Sequence, residues 1–137
     1  MTKTEPAREK ALLLPLLFLA AVTCSCGLKP QQSIIGTWKS DSPEHQEPLG
    51  SWVLTFKADG TATQDIRAKR KATHIQETYT AQNGDLVMQF QSMSVNGVAK
   101  ENRPVDIQKF TYDIDGSQLI LSLPGKQTSL VFTRQAR

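Results

Sequence analysis

Two short stretches concentrate the side chains with which this chain can do chemistry. Arg67, Lys69, Arg70 and Lys71, with His74 just beyond, form the densest cluster of charge in the sequence. Cations so closely spaced can hold an anion: a phosphate, a lipid headgroup or an acidic partner. The same composition also describes a solvated turn between two strands. Glu44, His45, Gln46 and Glu47, with Asp41 nearby, bring one imidazole together with carboxylates. Their spacing matches no metal-ligand pattern, and Pro43 and Pro48 make the segment a polar loop, so no metal site is read from it. His45 and His74 are the only two histidines. Neither belongs to a catalytic motif, and there is no glycine-rich phosphate loop and no nucleophile elbow. The chain reads as non-enzymatic, with no cofactor.

Cys24 and Cys26 are the only two cysteines, and both stand at the end of an apolar run. The body of the chain therefore has no thiol nucleophile, no cysteine metal site and no disulfide framework. Residues 1–10 are polar and carry Lys3, Arg8 and Lys10, and residues 11–22 are apolar. That run is shorter than the ~20 residues of a membrane-spanning helix, and Pro15 interrupts it. The pattern predicts a signal peptide over residues 1–25. Val22-Thr23-Cys24-Ser25-Cys26 resembles a bacterial lipobox, which places a small residue just before the cysteine. Ser25 suits Cys26, whereas Thr23 is bulkier before Cys24, so Cys26 is the expected lipidation site and Cys24 the alternative. The box lacks the usual Leu three residues earlier. The resemblance implies a diacylglyceryl thioether and a membrane anchor, which is stable once two or more acyl chains insert. Gly27 rather than Asp follows Cys26, which by analogy with lipoprotein sorting implies the outer membrane, facing the periplasm. Residues 26–32 then form the lipidated cysteine and a tether, whose reach is at most ~20 Å.

The remaining residues, 33–137, have to position the charged groups, and they alternate in steps of two. Trp52, Leu54 and Phe56 share one face; so do Leu86, Met88 and Phe90, and so do Phe110, Tyr112 and Ile114. Such alternation marks half-buried strands. Asp59-Gly60, Asn83-Gly84, Asn96-Gly97, Asp115-Gly116 and Pro124-Gly125 punctuate them as tight turns. The strands are expected at 33–40, 51–58, 61–68, 73–82, 85–93, 98–114 with a break near Asn102-Arg103-Pro104, 118–123 and 126–134. Eight short strands joined mostly by turns predict an all-β, eight-stranded antiparallel up-and-down barrel, because closure removes exposed edges. The inward residues are bulky, which predicts a mostly filled interior with at most a shallow pocket at the open end. Hydrophobic residues at 39% and charged residues at 21% are ordinary for one globular domain. One unit of the net charge of +3 belongs to the N-terminal segment, and what remains is too small to argue for nucleic acid.

Gly36-Thr37-Trp38, the hairpin from Leu54 to Thr61, and Leu130-Val131-Phe132-Thr133-Arg134 together resemble the lipocalin-like (calycin) barrels of small bacterial lipoproteins. The resemblance spans nearly all of residues 33–137, through short motifs. It implies that Trp38 on the first strand closes one end of the barrel and that Arg134 packs across its ring, with Gly36 marking a bend or a close approach. It further implies a monomeric, lipid-anchored module that binds a small apolar or amphipathic ligand at the barrel mouth. The alternative is a protein-interaction lipoprotein, such as an envelope assembly factor or a lysozyme inhibitor. Small barrel inhibitors of lysozyme usually carry cysteines in the barrel, and this chain has none there.

Overall fold

A computed structural model describes residues 32–47, 50–100 and 106–136. The signal peptide, Cys24, Cys26, all but the last residue of the tether and the expected break at Asn102-Arg103-Pro104 lie outside the described residues. Residues Gln32–Arg137 form a compact unit of their own.

Nine strands follow one another: β1 (Gly36–Ser40), β2 (Gly50–Phe56), β3 (Thr61–Ala68), β4 (Lys71–Gln82), β5 (Asp85–Val95), β6 (Val98–Ala99), β7 (Ile107–Asp115), β8 (Gln118–Ser122) and β9 (Ser129–Arg134). A 3₁₀ turn, Pro43–His45, stands between β1 and β2. Each strand pairs antiparallel with the next through β5, and β7, β8 and β9 continue the meander. β7 pairs with β5, and β9 returns to β1. Eight strands thus close an up-and-down barrel, the all-β fold expected from the alternation. The ninth, β6, is a two-residue extension paired with the end of β5. The stretch expected as one broken sixth strand is therefore two separate elements, and only the second belongs to the ring. β4 also begins earlier than the hydrophobic pattern suggests, because Lys71 pairs with Ala68 across a turn at Lys69-Arg70.

The alternating residues point inward as their period requires. Trp38, Leu54, Phe56, Leu86, Met88, Leu119 and Phe132 are all buried, with Ile34 and Ala62 beside them. Burying a side chain of this size contributes roughly 1.5–3 kcal/mol before chain entropy is subtracted. The strands alternate in direction, so the turns sort to two ends. Residues 33–36, Asp59-Gly60, Asn83-Gly84 and Gly116-Ser117 lie at one end. The connections that follow β1, β3, β5 and β8 lie at the other.

The first of these ends is plugged. Trp38 is fully buried, and its indole N–H donates to the Ile34 carbonyl at 2.8 Å. Arg134, its register partner on β9, lays its guanidinium over the indole, with Cζ 4.1 Å from the ring centroid. Nη1 of the same group donates to the Ile35 carbonyl at 3.0 Å and Nη2 to the Ser33 carbonyl at 2.8 Å. The segment before β1 is thereby strapped across the barrel end. Gly36 is what lets Arg134 pass: its φ is +141°, and a Cβ there would stand 2.9 Å from Nη1. A second glycine serves the other end. At Gly50 a Cβ would meet the Arg67 carbonyl oxygen at 2.6 Å, so β2 and β3 approach too closely for any side chain.

These contacts predict that Gly36→Ala lowers the unfolding free energy by about 1–3 kcal/mol, combining an unfavourable backbone with a clash. Trp38→Ala is expected to cost about 3–5 kcal/mol as a large core truncation. Urea titrations followed by far-UV circular dichroism measure both. A Gly36→Ala midpoint equal to the parent's would mean that Arg134 swings aside freely.

Candidate functional site

The opposite half of the barrel is not filled. A cavity of about 280 Å³ opens there, lined by side chains from seven of the eight ring strands and by Asp106 just before β7. Most of the wall is apolar, with Ile66 on β3, Ile75 on β4, Met93 and Phe90 on β5 and Leu130 on β9. The sequence expectation of a mostly filled interior therefore holds only for the plugged half. The inward positions on β3 and β4 explain the difference. Gln64 and Glu77 stand where large apolar residues would be needed to fill the space.

Three of the lining residues form a polar chain. Trp52 Nε1 donates to Gln64 Oε1 at 3.2 Å, and Gln64 Nε2 donates to Glu77 Oε2 at 2.9 Å. Gln64 and Glu77 are only 7% and 4% exposed. An indole N–H is donor only, so Gln64 has to present its oxygen to Trp52 and its amide protons to Glu77. Trp52 is itself held edge-on between two rings, His45 at 5.2 Å and Phe132 at 5.3 Å between centroids. His45 lies in the 3₁₀ turn and bonds through Nδ1 to Ser40 Oγ at 3.1 Å. The polar loop around Glu44–Glu47 thus uses its histidine to brace Trp52.

Glu77 sits where strand pairing is irregular. Gln76 faces Ser92 while Glu77 faces Phe90, which leaves Gln91 as an extra residue on β5. Such a bulge bends its strand and re-aims side chains. On the other side of Phe90, its backbone N–H donates to the Asp106 carbonyl at 3.1 Å. Glu77, Phe90 and Asp106 therefore lie in one row across adjacent segments. Burial pushes the Glu77 carboxyl above the ordinary carboxylate range. The hydrogen bond from Gln64 opposes that rise, and the negative charge of Asp106 adds to it.

The residues singled out in the sequence fall elsewhere. Arg67, Lys69, Arg70 and Lys71 lie on the β3–β4 hairpin at the same end as the cavity, all exposed and none among its lining. Lys69 takes a left-handed conformation in the turn, with φ 53°. His74 bonds Asp65 at 2.7 Å on the outer face of the same hairpin. Gly36, Trp38 and Arg134 come together at the plugged end, away from the cavity. Gln64, Glu77 and Asp106 were not picked out from the sequence. The signal for Glu77 was there: Ile75, Glu77 and Tyr79 share one face of β4, which puts a carboxylate on an apolar stripe.

Comparison of the chain with protein-family models, with curated proteins and with solved structures finds no match. Among the described residues, no helix is long and apolar enough to cross a membrane.

The raised carboxyl carries a stability consequence. In the folded barrel Glu77 holds its proton more tightly than in the unfolded chain, where the ordinary value is 4.5. Its contribution is fully present below that value and is lost as pH rises through the higher folded value. Glu77→Gln keeps the acceptor for Gln64 and removes the titration. The variant is expected to match the parent's stability near pH 4 and to exceed it near pH 8. Chemical denaturation at the two pH values tests this, and a constant difference between variant and parent would refute it.

Proposed function

We propose that the barrel is a non-enzymatic module that binds one small apolar or amphipathic molecule through its open end, while a lipid on Cys26 holds it to the cell envelope. The observation that carries this reading is the apolar cavity of about 280 Å³, open at one end of a barrel that is plugged at the other. Ligand sites are concave, mostly apolar and provided with a few convergent polar groups, and this cavity lies at the small end of their size range. The large exposed hydrophobic side chains among the described residues support it too. Val98, Ile107 and Leu123 belong to the connections at the mouth or to strand ends beside them.

The anchor rests on the sequence around Cys26. Residues 33–35 run across the plugged end, so a lipid at Cys26 would tether the barrel by that end. Gly27 in place of Asp supports the outer membrane, facing the periplasm. A second reading, an interaction module for another envelope protein, draws on the exposed apolar side chains and the basic hairpin gathered at one end.

Native mass spectrometry of residues 27–137 from a periplasmic preparation separates the two. A reproducible added mass that leaves on denaturation is expected. A clean apo mass, with crosslinks to a partner through the mouth, would replace the first reading by the second. For the anchor, Cys26→Ser is expected to move the full-length protein from the membrane to the soluble fraction, and unchanged fractionation would exclude Cys26.

A further inference from the structure

Building on the ligand-binding reading, we propose that the cavity selects a lipophilic amine, whose ammonium head sits between Glu77 and Asp106 and whose apolar body extends toward the mouth. The argument begins with what the cavity wall lacks. Two carboxylates line it, and no Lys, Arg or His stands among its described lining residues. Glu77 is 4% exposed, and its one hydrogen bond among the described residues comes from Gln64. An ionised carboxylate in an apolar pocket is costly unless a partner compensates it, and the neutral amide of Gln64 compensates it only in part. A cation arriving from outside would compensate the ionised form.

The polar chain sets what Glu77 can offer. Trp52 compels Gln64 to donate, so Glu77 Oε2 is an acceptor in every protonation state. Its other oxygen is the group left for a ligand. An alcohol satisfies that oxygen as a neutral donor. A primary amine does so with charge, and its three N–H donors can also engage Asp106, which the Phe90 backbone N–H holds in the same row. A fatty acid would bring a third negative charge into the row, the least favourable case. The space beyond Glu77 toward the mouth is walled by Ile66, Ile75 and Met93, which suits an alkyl or aryl body. The basic hairpin at the rim, Arg67 to Lys71, argues for the opposite polarity if the head group stays outside, so an acid is the necessary competitor in the test.

Isothermal titration of residues 32–137, the unit that closes its ring and core on its own, with decylamine, decanol and decanoate at pH 7.5 decides the matter. Decylamine is expected to bind about tenfold or more tightly than decanol, the gain of one charge-assisted hydrogen bond to Glu77, with decanoate weakest. Glu77→Gln is expected to bring amine and alcohol to within about threefold, chiefly through loss of amine affinity. Asp106→Asn, at an exposed position that does not threaten the fold, should weaken the amine alone by a few-fold. Decanol or decanoate binding as tightly as the amine, or an amine affinity indifferent to both substitutions, overturns the amine proposal and leaves the cavity as a binding site. Failure of all three compounds overturns the ligand-binding reading together with it.

Discussion

The ring of this barrel closes between its first and last strands, and that seam depends on Arg134 lying over Trp38. β1 and β9 are far apart in the chain, so their pairing is the most entropically demanding contact in the meander. It has to be secured by more than the ladder between two short strands. The indole offers its face to the guanidinium, an attraction of about 0.5–2 kcal/mol that grows as water is excluded. The same guanidinium donates to two carbonyls of the segment entering β1. One side chain thus joins the last strand, the first strand and the strap across the end. Gly36 is the condition for this arrangement, since any other residue would meet the guanidinium from below.

Because one end is sealed in this way, the two halves of the barrel can be built differently. The plugged half is packed by Trp38, Phe56, Phe132, Leu86 and Leu119. Its turns are the tight ones, and they add backbone bonds to neighbouring strands, such as Tyr79 N–H to the Gly60 carbonyl at 2.8 Å and Tyr112 N–H to the Gly84 carbonyl at 2.7 Å. The other half need not be packed to stand. Its wall includes the polar chain through Gln64 and Glu77, and a cavity remains between the strands. Among barrels of eight strands, a filled interior and a small ligand site are close alternatives. The choice turns on a few inward side chains. Here it differs from one end of the same barrel to the other.

Much of this was legible in the sequence, and the reasons for the exceptions are physical. Period-two stripes such as Trp52-Leu54-Phe56 and Leu86-Met88-Phe90 specify both the strand and its inward face, because a slip of one residue would expose the whole set. Asn83-Gly84 ends a strand unambiguously, since its two positive φ values match the twist of a hairpin. The Lys69-Arg70 turn carries no such signal, so the sequence does not mark the start of β4 at Lys71. β6 reads in the sequence as part of a ring strand because pairing partners outside the ring leave no mark on hydropathy. The bulky inward residues alone hide the cavity, because the polar ones between them, Gln64 and Glu77, leave the space open. Which inward residues face each other depends on register around the closed ring, and that is a property of the fold rather than of any one strand.

Glu77 is the residue that a purely structural account of the barrel leaves unexplained. An apolar side chain at that position would continue the stripe of Ile75 and Tyr79, fill part of the cavity and remove the cost of a buried acid. Stability alone would favour it. Instead the fold supports the carboxylate: a small Ala62 opposite, a bulge on the facing strand, a glutamine oriented by Trp52, and Trp52 in turn wedged between His45 and Phe132. Residues of β2, β3, β5, β9 and the 3₁₀ turn all contribute to holding one acid against an apolar wall. Sealing and opening are therefore complementary parts of one design: the Arg134–Trp38 seam at one end supplies the stability that the other end gives up around Glu77.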